Sequence, residues 1–155
     1  MPIIEGRPIM STPKCPNRET FETGAVRDKT DYRYDLMSPL VVSLILRNDI
    51  EARNLAESLM HRDICHKSVL FHLEVVVHTN PAGLVHLYAQ ALHEGASKYG
   101  ERNWEKGIPE SNLLNHALAH LFALVSGDQS ENHRSHLVWN VMTLIHFRLK
   151  EKGDQ

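Results

Sequence analysis

The chain contains few of the features that mark membrane or disulfide-rich proteins. It has only two cysteines, Cys15 and Cys65, too few for a disulfide scaffold or a thiolate zinc cage, so both are interpreted as free thiols. Its longest apolar run, residues 39–46, covers less than half of a bilayer. The N-terminus also lacks a charged start followed by an apolar stretch. We therefore expect a cytoplasmic protein without a membrane partner.

An excess of basic residues is also absent. Lys and Arg number 17 against 19 for Asp and Glu, which gives a formal net charge of −2. Proteins that bind duplex nucleic acid need clustered cations facing the phosphates, so this class is predicted against. The apolar content of 42% supports a folded domain, and the count of 11 histidines is unusually high.

The organisation changes near residue 35. Residues 1–35 hold four of the seven prolines and show neither the strand nor the helix period. We predict an extended or partly disordered N-terminal arm over residues 1–35 and an all-α domain over residues 36–150. No convincing strand pair is evident anywhere in the sequence.

Helix start and stop signals divide the second region into segments. The predicted helices begin at an N-cap Ser38 with Pro39 following, at an Asn48/Asp49 cap, in the ambiguous segment 68–80, at Asn80 with Pro81 following, at a Ser111 cap, and in the segment DQSE at residues 128–131. The segment 68–80 is interpreted as helical because no partner strand is evident. The fourth helix is predicted to stop at Gly100 and the last at about Leu149.

Polar side chains follow one face of each of the last three predicted helices, which are otherwise apolar. Buried polar groups must bond one another, water, a metal or a ligand. If the three faces meet, they line a polar pocket in the bundle core. The faces consist of His86, Gln90, Glu94 and Lys98; of Asn112, Asn115, His116 and His120; and of His133, His136, Asn140 and Thr143.

Each pattern also has a purely structural interpretation, and the residues alone leave both open. The structural alternatives are an exposed ion pair for Glu94 and Lys98, a capping box for Asp128 and Glu131, satisfied core histidines for His116 and His120, and packing for Trp104 and Trp139.

Three segments resemble a known family, the MazG-like all-α nucleotide pyrophosphatases called dATP/dGTP diphosphohydrolases. They are GAVRDKTDYRYDLMSP, EGASKYGERNWEKGIPESNLLNHALAHL and GDQSENHRSHLVWN. Phage members of this family, called MazZ, accompany the synthesis of DNA in which 2-aminoadenine replaces adenine. Two positions depart from the family pattern, because Gln90 and Asn132 stand where acidic residues are expected.

The resemblance implies a MazG-like helical bundle with an extended N-terminal arm. It also implies hydrolysis of purine deoxynucleoside triphosphates, dATP and dGTP, to the monophosphate and diphosphate with Mg²⁺ or Mn²⁺. A homo-oligomer, either a dimer or a tetramer, is expected. In a phage, the reaction would supply dGMP for 2-aminoadenine nucleotide synthesis.

The same resemblance implies roles for individual residues. The expected catalytic residues are Glu94, Glu131 and Lys98, and the expected metal ligands are Glu94, Glu131, Asp128, His133 and His136. Phosphate contacts are expected from Lys98 and Arg102. The remaining expected substrate-binding residues are Tyr99, Asn103, Trp104, Asn115, His116, His120 and Asn140, with Arg33 and Asp35 reaching a site from the arm, including that of a neighbouring subunit.

Two other functions stay open at this point. A pyrophosphatase of the same type could act on another nucleotide, such as a pyrimidine or damaged deoxynucleotide. A catalytically silent helical regulator could also retain the scaffold, given Gln90 and Asn132.

Overall fold

The computed structural model describes residues 18–30, 32–62 and 65–153. In these residues a short hairpin precedes six α-helices, which confirms the predicted all-α class with an N-terminal arm. The helices are α1 (Pro39–Ile45), α2 (Ile50–Met60), α3 (His66–Val76), α4 (Pro81–Tyr99), α5 (Glu110–Val125) and α6 (His133–Gly153). The domain boundary near residue 35 stays a prediction.

Three helices begin where the sequence predicts. The side chains of Ser38, Asp49 and Asn80 each accept a hydrogen bond from the backbone N–H three residues later. Pro39 and Pro81 occupy the first helical positions, where the missing N–H has no helical partner to lose. The ambiguous segment is helical from His66, so its interpretation as a helix is confirmed.

The starts of the last two helices differ from the prediction. Helix α5 begins at Glu110, directly after Pro109, so Ser111 lies inside the helix. Helix α6 begins at His133 because Asn132 Oδ1 accepts from the N–H of Ser135, 3.1 Å away. The capping-box interpretation of Asp128 and Glu131 is therefore wrong, since both residues lie in the loop before the helix. Helix α6 also continues beyond the predicted end, to Gly153.

The predicted absence of a strand pair is also wrong. Strands β1 (Arg18–Thr20) and β2 (Val26–Asp28) form an antiparallel hairpin in which Arg18 stands opposite Asp28. Gly24 has φ 91° in the connecting turn, a conformation that glycine adopts without a steric cost. Strands of three residues carry too weak a periodicity to be recognised in a sequence. Residues 1–17, including Cys15, lie outside the described residues, whereas Cys65 is free and exposed.

The core lies where α6 packs against α4 and α5, with α2 packed against α5 and α3 against α2. Full burial of one leucine stabilises a fold by about 1.5–3 kcal/mol, so this interior is the main source of stability. A single 3₁₀ turn, Tyr34–Leu36, carries the chain from the hairpin across α5 to α1. No helix of the described residues is both long and apolar enough to cross a membrane. The largest fully buried apolar side chains are Leu55, Leu59, Leu73, Leu113, Leu118, Leu121, Leu137, Leu144, Val77, Val138 and Val141.

Candidate active site

A cleft of about 720 Å³ opens between α4, α5, α6 and the hairpin. Polar residues from all three predicted helix faces line it, including Glu94 of α4, His116 and His120 of α5, and His136 and Asn140 of α6. The expectation that these faces meet around a pocket is therefore met. The pocket is open to solvent on the side of Glu94, whereas Asn140 and His116 are buried.

His136 lies between two carboxylates that belong to different elements. Its Nδ1 is 2.6 Å from Oε1 of Glu131, in the loop before α6, and its Nε2 is 3.0 Å from Oε1 of Glu94, on α4. Two oxygens therefore approach one imidazole from opposite sides. This contact brings together Glu94 and Glu131, which are 37 positions apart in the sequence.

Two further imidazoles, those of His120 and His133, lie beside this contact. Nδ1 of His120 is 2.9 Å from Nδ1 of His133 and 3.8 Å from Oε1 of Glu131. Possible ligand atoms of His120, Glu131 and His133 all lie within 4.8 Å of one another. We call Glu94, His120, Glu131, His133 and His136 the imidazole–carboxylate cluster. Sequence analysis had placed His120 among the substrate-binding residues rather than in such a cluster.

The charges of the cluster are set by its contacts and by burial. The hydrogen bond from His136 holds the pKa of Glu131 below its ordinary value, and the same bond raises the pKa of His136. Burial is the largest cause that lowers the pKa of His120, which is therefore neutral near pH 7. A neutral imidazole retains a lone pair that a metal ion can use.

The donor set of the cluster fits a divalent cation. Carboxylate oxygens of Glu94 and Glu131 are ligands that Mg²⁺ prefers, and the neighbouring imidazoles are acceptable to Mn²⁺. Asp128 lies beside the cluster, with Oδ2 3.2 Å from Nε2 of His133 but without hydrogen-bond geometry. Metal roles for these residues stay predictions.

Two predicted phosphate-binding cations lie at the mouth of the cleft, each beside a carboxylate. Nζ of Lys98 is 3.7 Å from Oδ2 of Asp28, and Arg102 contacts Glu105 at 2.6 Å. Arg102 has a left-handed backbone (φ 61°) and lies two residues after Gly100, the glycine at the end of α4. Both side chains are more than half exposed, so these ion pairs can be exchanged for a ligand at little cost.

Two aromatic side chains expected to bind substrate are partly occupied by the protein itself. The Tyr99 hydroxyl accepts from the N–H of Asp28, and burial is the main cause that raises its pKa to about 12. The ring of Trp104 packs edge-on against His146 and Phe147, at centroid distances of 5.2 Å and 6.1 Å. Both residues line the cleft as well, so a substrate can reach one side of each.

Asn103 and Asn115 hold the arm in place. Asn103 pairs with the backbone of Val26 through both its Oδ1 (3.0 Å) and its Nδ2 (2.8 Å), as a neighbouring strand would. Asn115 uses all its bonding capacity on the backbone of Tyr34, Asp35 and Tyr32 and on the hydroxyl of Thr30. Asn103 also lines the cleft, whereas Asn115 does not, and the expected contacts of both with base or sugar stay predictions.

Arg33 and Asp35 do not line the cleft of their own chain. Their side chains form a bidentate ion pair with both hydrogen bonds at 2.8 Å. The pair lies on the 3₁₀ turn that crosses α5. Any contact of these two residues with substrate would therefore belong to the site of another subunit, as the sequence analysis allowed.

The structure adds one residue that the sequence analysis left out of the site. Arg27 of β2 lines the cleft, and its Nη1 donates to Oδ1 of Asn112 and of Asn140, both at 3.1 Å. Its guanidinium carbon lies 5.2 Å from the ring centre of Trp139. The signal for it was present, because Arg27 belongs to the GAVRD segment that carries the resemblance.

His116 lies close to this arginine. Only 5% of the residue is exposed, and its Nε2 has no hydrogen-bond partner in the described residues. Burial, followed by the charge of Arg27, lowers its pKa to about 2, so the imidazole is neutral. The inner end of the cleft therefore contains neutral polar groups and one buried guanidinium.

A comparison with protein families matches residues 66–155 to the model described as dATP/dGTP diphosphohydrolase, N-terminal. The match covers α3 to α6 and every residue of the imidazole–carboxylate cluster, but not the hairpin. Neither the curated proteins nor the solved structures contain a match to the chain.

Proposed function

The chain belongs to the dATP/dGTP diphosphohydrolase family, and we propose that its cleft hydrolyses dATP and dGTP to the monophosphate and diphosphate. The contact of His136 with both Glu94 and Glu131 carries this proposal. It brings two carboxylates, one on α4 and one in the loop before α6, to opposite sides of one imidazole in a cleft that is large enough for a nucleotide. Two acidic groups held together in this way are the usual requirement for phosphoryl chemistry with a divalent cation.

Glu94 and Glu131 are the proposed ligands of Mg²⁺ or Mn²⁺, with His133, His136 and Asp128 beside them. The ion, when bound, neutralises phosphate charge and acidifies a water molecule. Glu131 is ionised at neutral pH, and its bond to His136 lowers its pKa further, so the carboxylate is available to bind an ion. His136 keeps the side chain of Glu131 oriented toward Glu94.

The other side chains of the cleft bind and orient the nucleotide. Lys98 and Arg102 exchange their carboxylate partners for phosphate oxygens as the triphosphate enters. The rings of Tyr99, Trp104 and Trp139 provide apolar faces for the purine. Water adds across the phosphoanhydride bond between the α and β phosphorus, which gives deoxynucleoside monophosphate and diphosphate. In a phage that makes 2-aminoadenine DNA, this reaction supplies dGMP and depletes dATP.

An exposed apolar surface supports assembly into a homo-oligomer. On α1, Leu40 is 82% exposed and Leu44 is 64% exposed, and Val41 and Ile45 are exposed beside them. Contiguous apolar residues of this kind are unusual on a monomer and mark interaction surfaces. Light scattering should give a multiple of the 17.7 kDa chain mass, and the double variant Leu40→Glu, Leu44→Glu should lower it.

Turnover assays test the proposed reaction. The purified chain is incubated with each of the four deoxynucleoside triphosphates and Mn²⁺ or Mg²⁺, and the products are separated by chromatography. We expect monophosphate and diphosphate from dATP and dGTP, and no turnover when EDTA is present. Release of orthophosphate would refute the proposed bond, and selective turnover of a pyrimidine would replace the proposed substrate. Absence of turnover with every nucleotide would support a regulator.

A further inference from the structure

Arg27 is a buried cation without a bonded carboxylate. The residue is 9% exposed, and in residues 18–30, 32–62 and 65–153 no carboxylate oxygen lies within 4 Å of its guanidinium. Burial is the main cause that lowers its pKa to about 10, so it still carries a full charge at neutral pH. A buried charge that lacks a counter-ion is costly, which requires a compensating role.

The surroundings of Arg27 orient it without neutralising it. Asn112 and Asn140 both accept from Nη1, and Trp139 lies against the guanidinium. The nearest acidic partner in this network, Glu19, is bonded to Asn112 rather than to the arginine. Nε and Nη2 have no hydrogen-bond partner in the described part of the chain, and Arg27 lines the cleft. The two free donors form the fork that binds planar or tetrahedral oxyanions.

Arg27 is connected to the imidazole–carboxylate cluster through Asn140 of α6. Asn140, which accepts from Arg27, follows His136 by one helical turn and also donates to the carbonyl oxygen of His136 at 2.8 Å. One turn of helix rises about 5.4 Å. Arg27 and the cluster thus line one cleft and are connected through one turn of α6, which is the arrangement expected if one phosphate chain contacts both.

We propose that Arg27 is a phosphate-binding residue, which takes an oxygen of the substrate's phosphate chain at the inner end of the cleft. The proposal rests on the proposed function for the identity of the nucleotide, but the anion subsite itself requires only the geometry around Arg27. Arg27 lies outside the region that matches the family model. Because Arg27 is on β2, the hairpin contributes a residue to the proposed binding site.

Two other roles would produce a different set of effects. As a structural clamp, Arg27 would hold β2 against α5 and α6, and its loss would reduce stability without weakening a ligand. As a reader of the base edge, it would distinguish guanine, which offers two acceptors, from adenine, which offers one acceptor and one donor. If Arg27 binds phosphate, its loss weakens the binding of dGTP, dATP and inorganic diphosphate alike.

The test measures calorimetric binding of three probes with Mn²⁺ present: the non-hydrolysable α,β-methylene analogues of dGTP and dATP, and inorganic diphosphate. The variants are Arg27→Gln, which removes the charge, and Arg27→Lys, which keeps it. Arg47→Gln is the matched control, because Arg47 is exposed just after the end of α1, donates to the carbonyl oxygen of Leu44 and does not line the cleft. Thermal unfolding of each free variant reports the structural contribution.

We expect Arg27→Gln to weaken all three probes by a similar factor, roughly 10- to 100-fold. Arg27→Lys should recover part of that loss, and Arg47→Gln should bind as the unmodified protein does. Unchanged affinity together with a lower Tm would show a clamp and overturn the proposal. Weakening of one nucleotide analogue alone would overturn it in favour of base reading.

The proposed function can fail separately. If the unmodified chain binds diphosphate through Arg27 but hydrolyses no deoxynucleotide, the anion subsite stands and the proposed reaction falls. If the unmodified chain hydrolyses dATP and dGTP while Arg27→Gln binds every probe normally, the proposed reaction stands and the anion subsite falls. Should Arg27→Gln fail to fold, Arg27→Lys decides: a lysine cannot form the two-donor fork, so affinity for all three probes must still fall.

Discussion

The two ends of the cleft differ in the groups that surround their charged side chains. At the outer end, carboxylates and imidazoles of the cluster contact one another, and Glu94 and Glu131 remain about half exposed. At the inner end, Arg27 is buried among amides and an indole, with no bonded carboxylate in the described residues. Groups at the outer end can rearrange at small cost when an ion arrives, whereas those at the inner end are fixed before a ligand binds.

This difference separates the requirements of catalysis from those of stability. Removal of a cluster carboxylate leaves other partners and solvent nearby, so the fold should tolerate it. Removal of an amide that holds the arm leaves partly buried backbone groups without their partners, so the stability of the fold should fall. The predictions below compare the two ends in these terms.

The largest expected effect is on turnover at the outer end. Glu94→Gln and Glu131→Gln should each reduce kcat/KM by roughly 1,000-fold. Each variant would hold the divalent ion weakly, so the transition state would lose several kcal/mol of stabilisation. Tm should change little. Glu74→Gln, on α3 and outside the cleft lining, is the matched control and should retain full activity. Full activity in Glu94→Gln would show that the cluster is not the reaction centre.

The next effect concerns stability. Asn115→Ala removes four hydrogen bonds to the arm, which should lower the free energy of unfolding by about 3 kcal/mol in denaturant titrations. Asn54→Ala on α2, whose side chain makes no hydrogen bond within the described residues, should lower it far less. If Asn115→Ala kept its stability but lost affinity for nucleotide, the original assignment of Asn115 to substrate binding would be restored.

Metal binding should be visible as added stability at the outer end. At a Mn²⁺ concentration 100 times Kd, the unmodified protein should gain about 2.7 kcal/mol, seen as a rise in Tm after EDTA-treated protein is titrated with Mn²⁺. Glu131→Gln should lose most of that rise, whereas Asn115→Ala should keep it. An equal rise in Glu131→Gln would place the ion elsewhere.

The smallest effect belongs to the ion pair on the 3₁₀ turn. Arg33 holds the pKa of Asp35 below its ordinary value of 3.8, mainly through its hydrogen bonds. This stabilisation is present above pH 3.8 and is lost as pH falls through the lowered pKa. Arg33→Gln should therefore reduce Tm slightly at pH 7, with the difference vanishing in strong acid. A large loss of kcat/KM instead would indicate that Arg33 reaches the cleft of a neighbouring subunit.

Much of the fold could be predicted because its signals are local. Ser38, Asp49 and Asn80 bond the backbone three residues ahead, and such caps are legible in the sequence. The α6 start was missed because two acidic residues have the spacing of a capping box, while Asn132 performs the capping. The hairpin was missed because side chains far along the sequence hold it, a relation that no local pattern contains.

The site was predictable in its polar faces but less so in its roles. Helical spacing correctly placed Glu94, His120 and His136 around one space. It could not show that the amides of Asn103 and Asn115 form hydrogen bonds with the arm, because a bonded amide and a free amide look identical in a sequence. Arg27 was overlooked although it belongs to the GAVRD segment that carries the resemblance, because burial of a cation cannot be read from its neighbours in the chain.

The bond between Arg27 and Asn140 also bears on the order of folding. These residues are separated by 113 positions, and the other amides that hold the hairpin follow it by 77 to 85. Contacts of such long range form after local helices, because a large loop must first be closed. During synthesis on the ribosome, the hairpin is made early and waits for α5 and α6 to emerge. The inner end of the cleft is therefore completed only when nearly the whole chain has been translated.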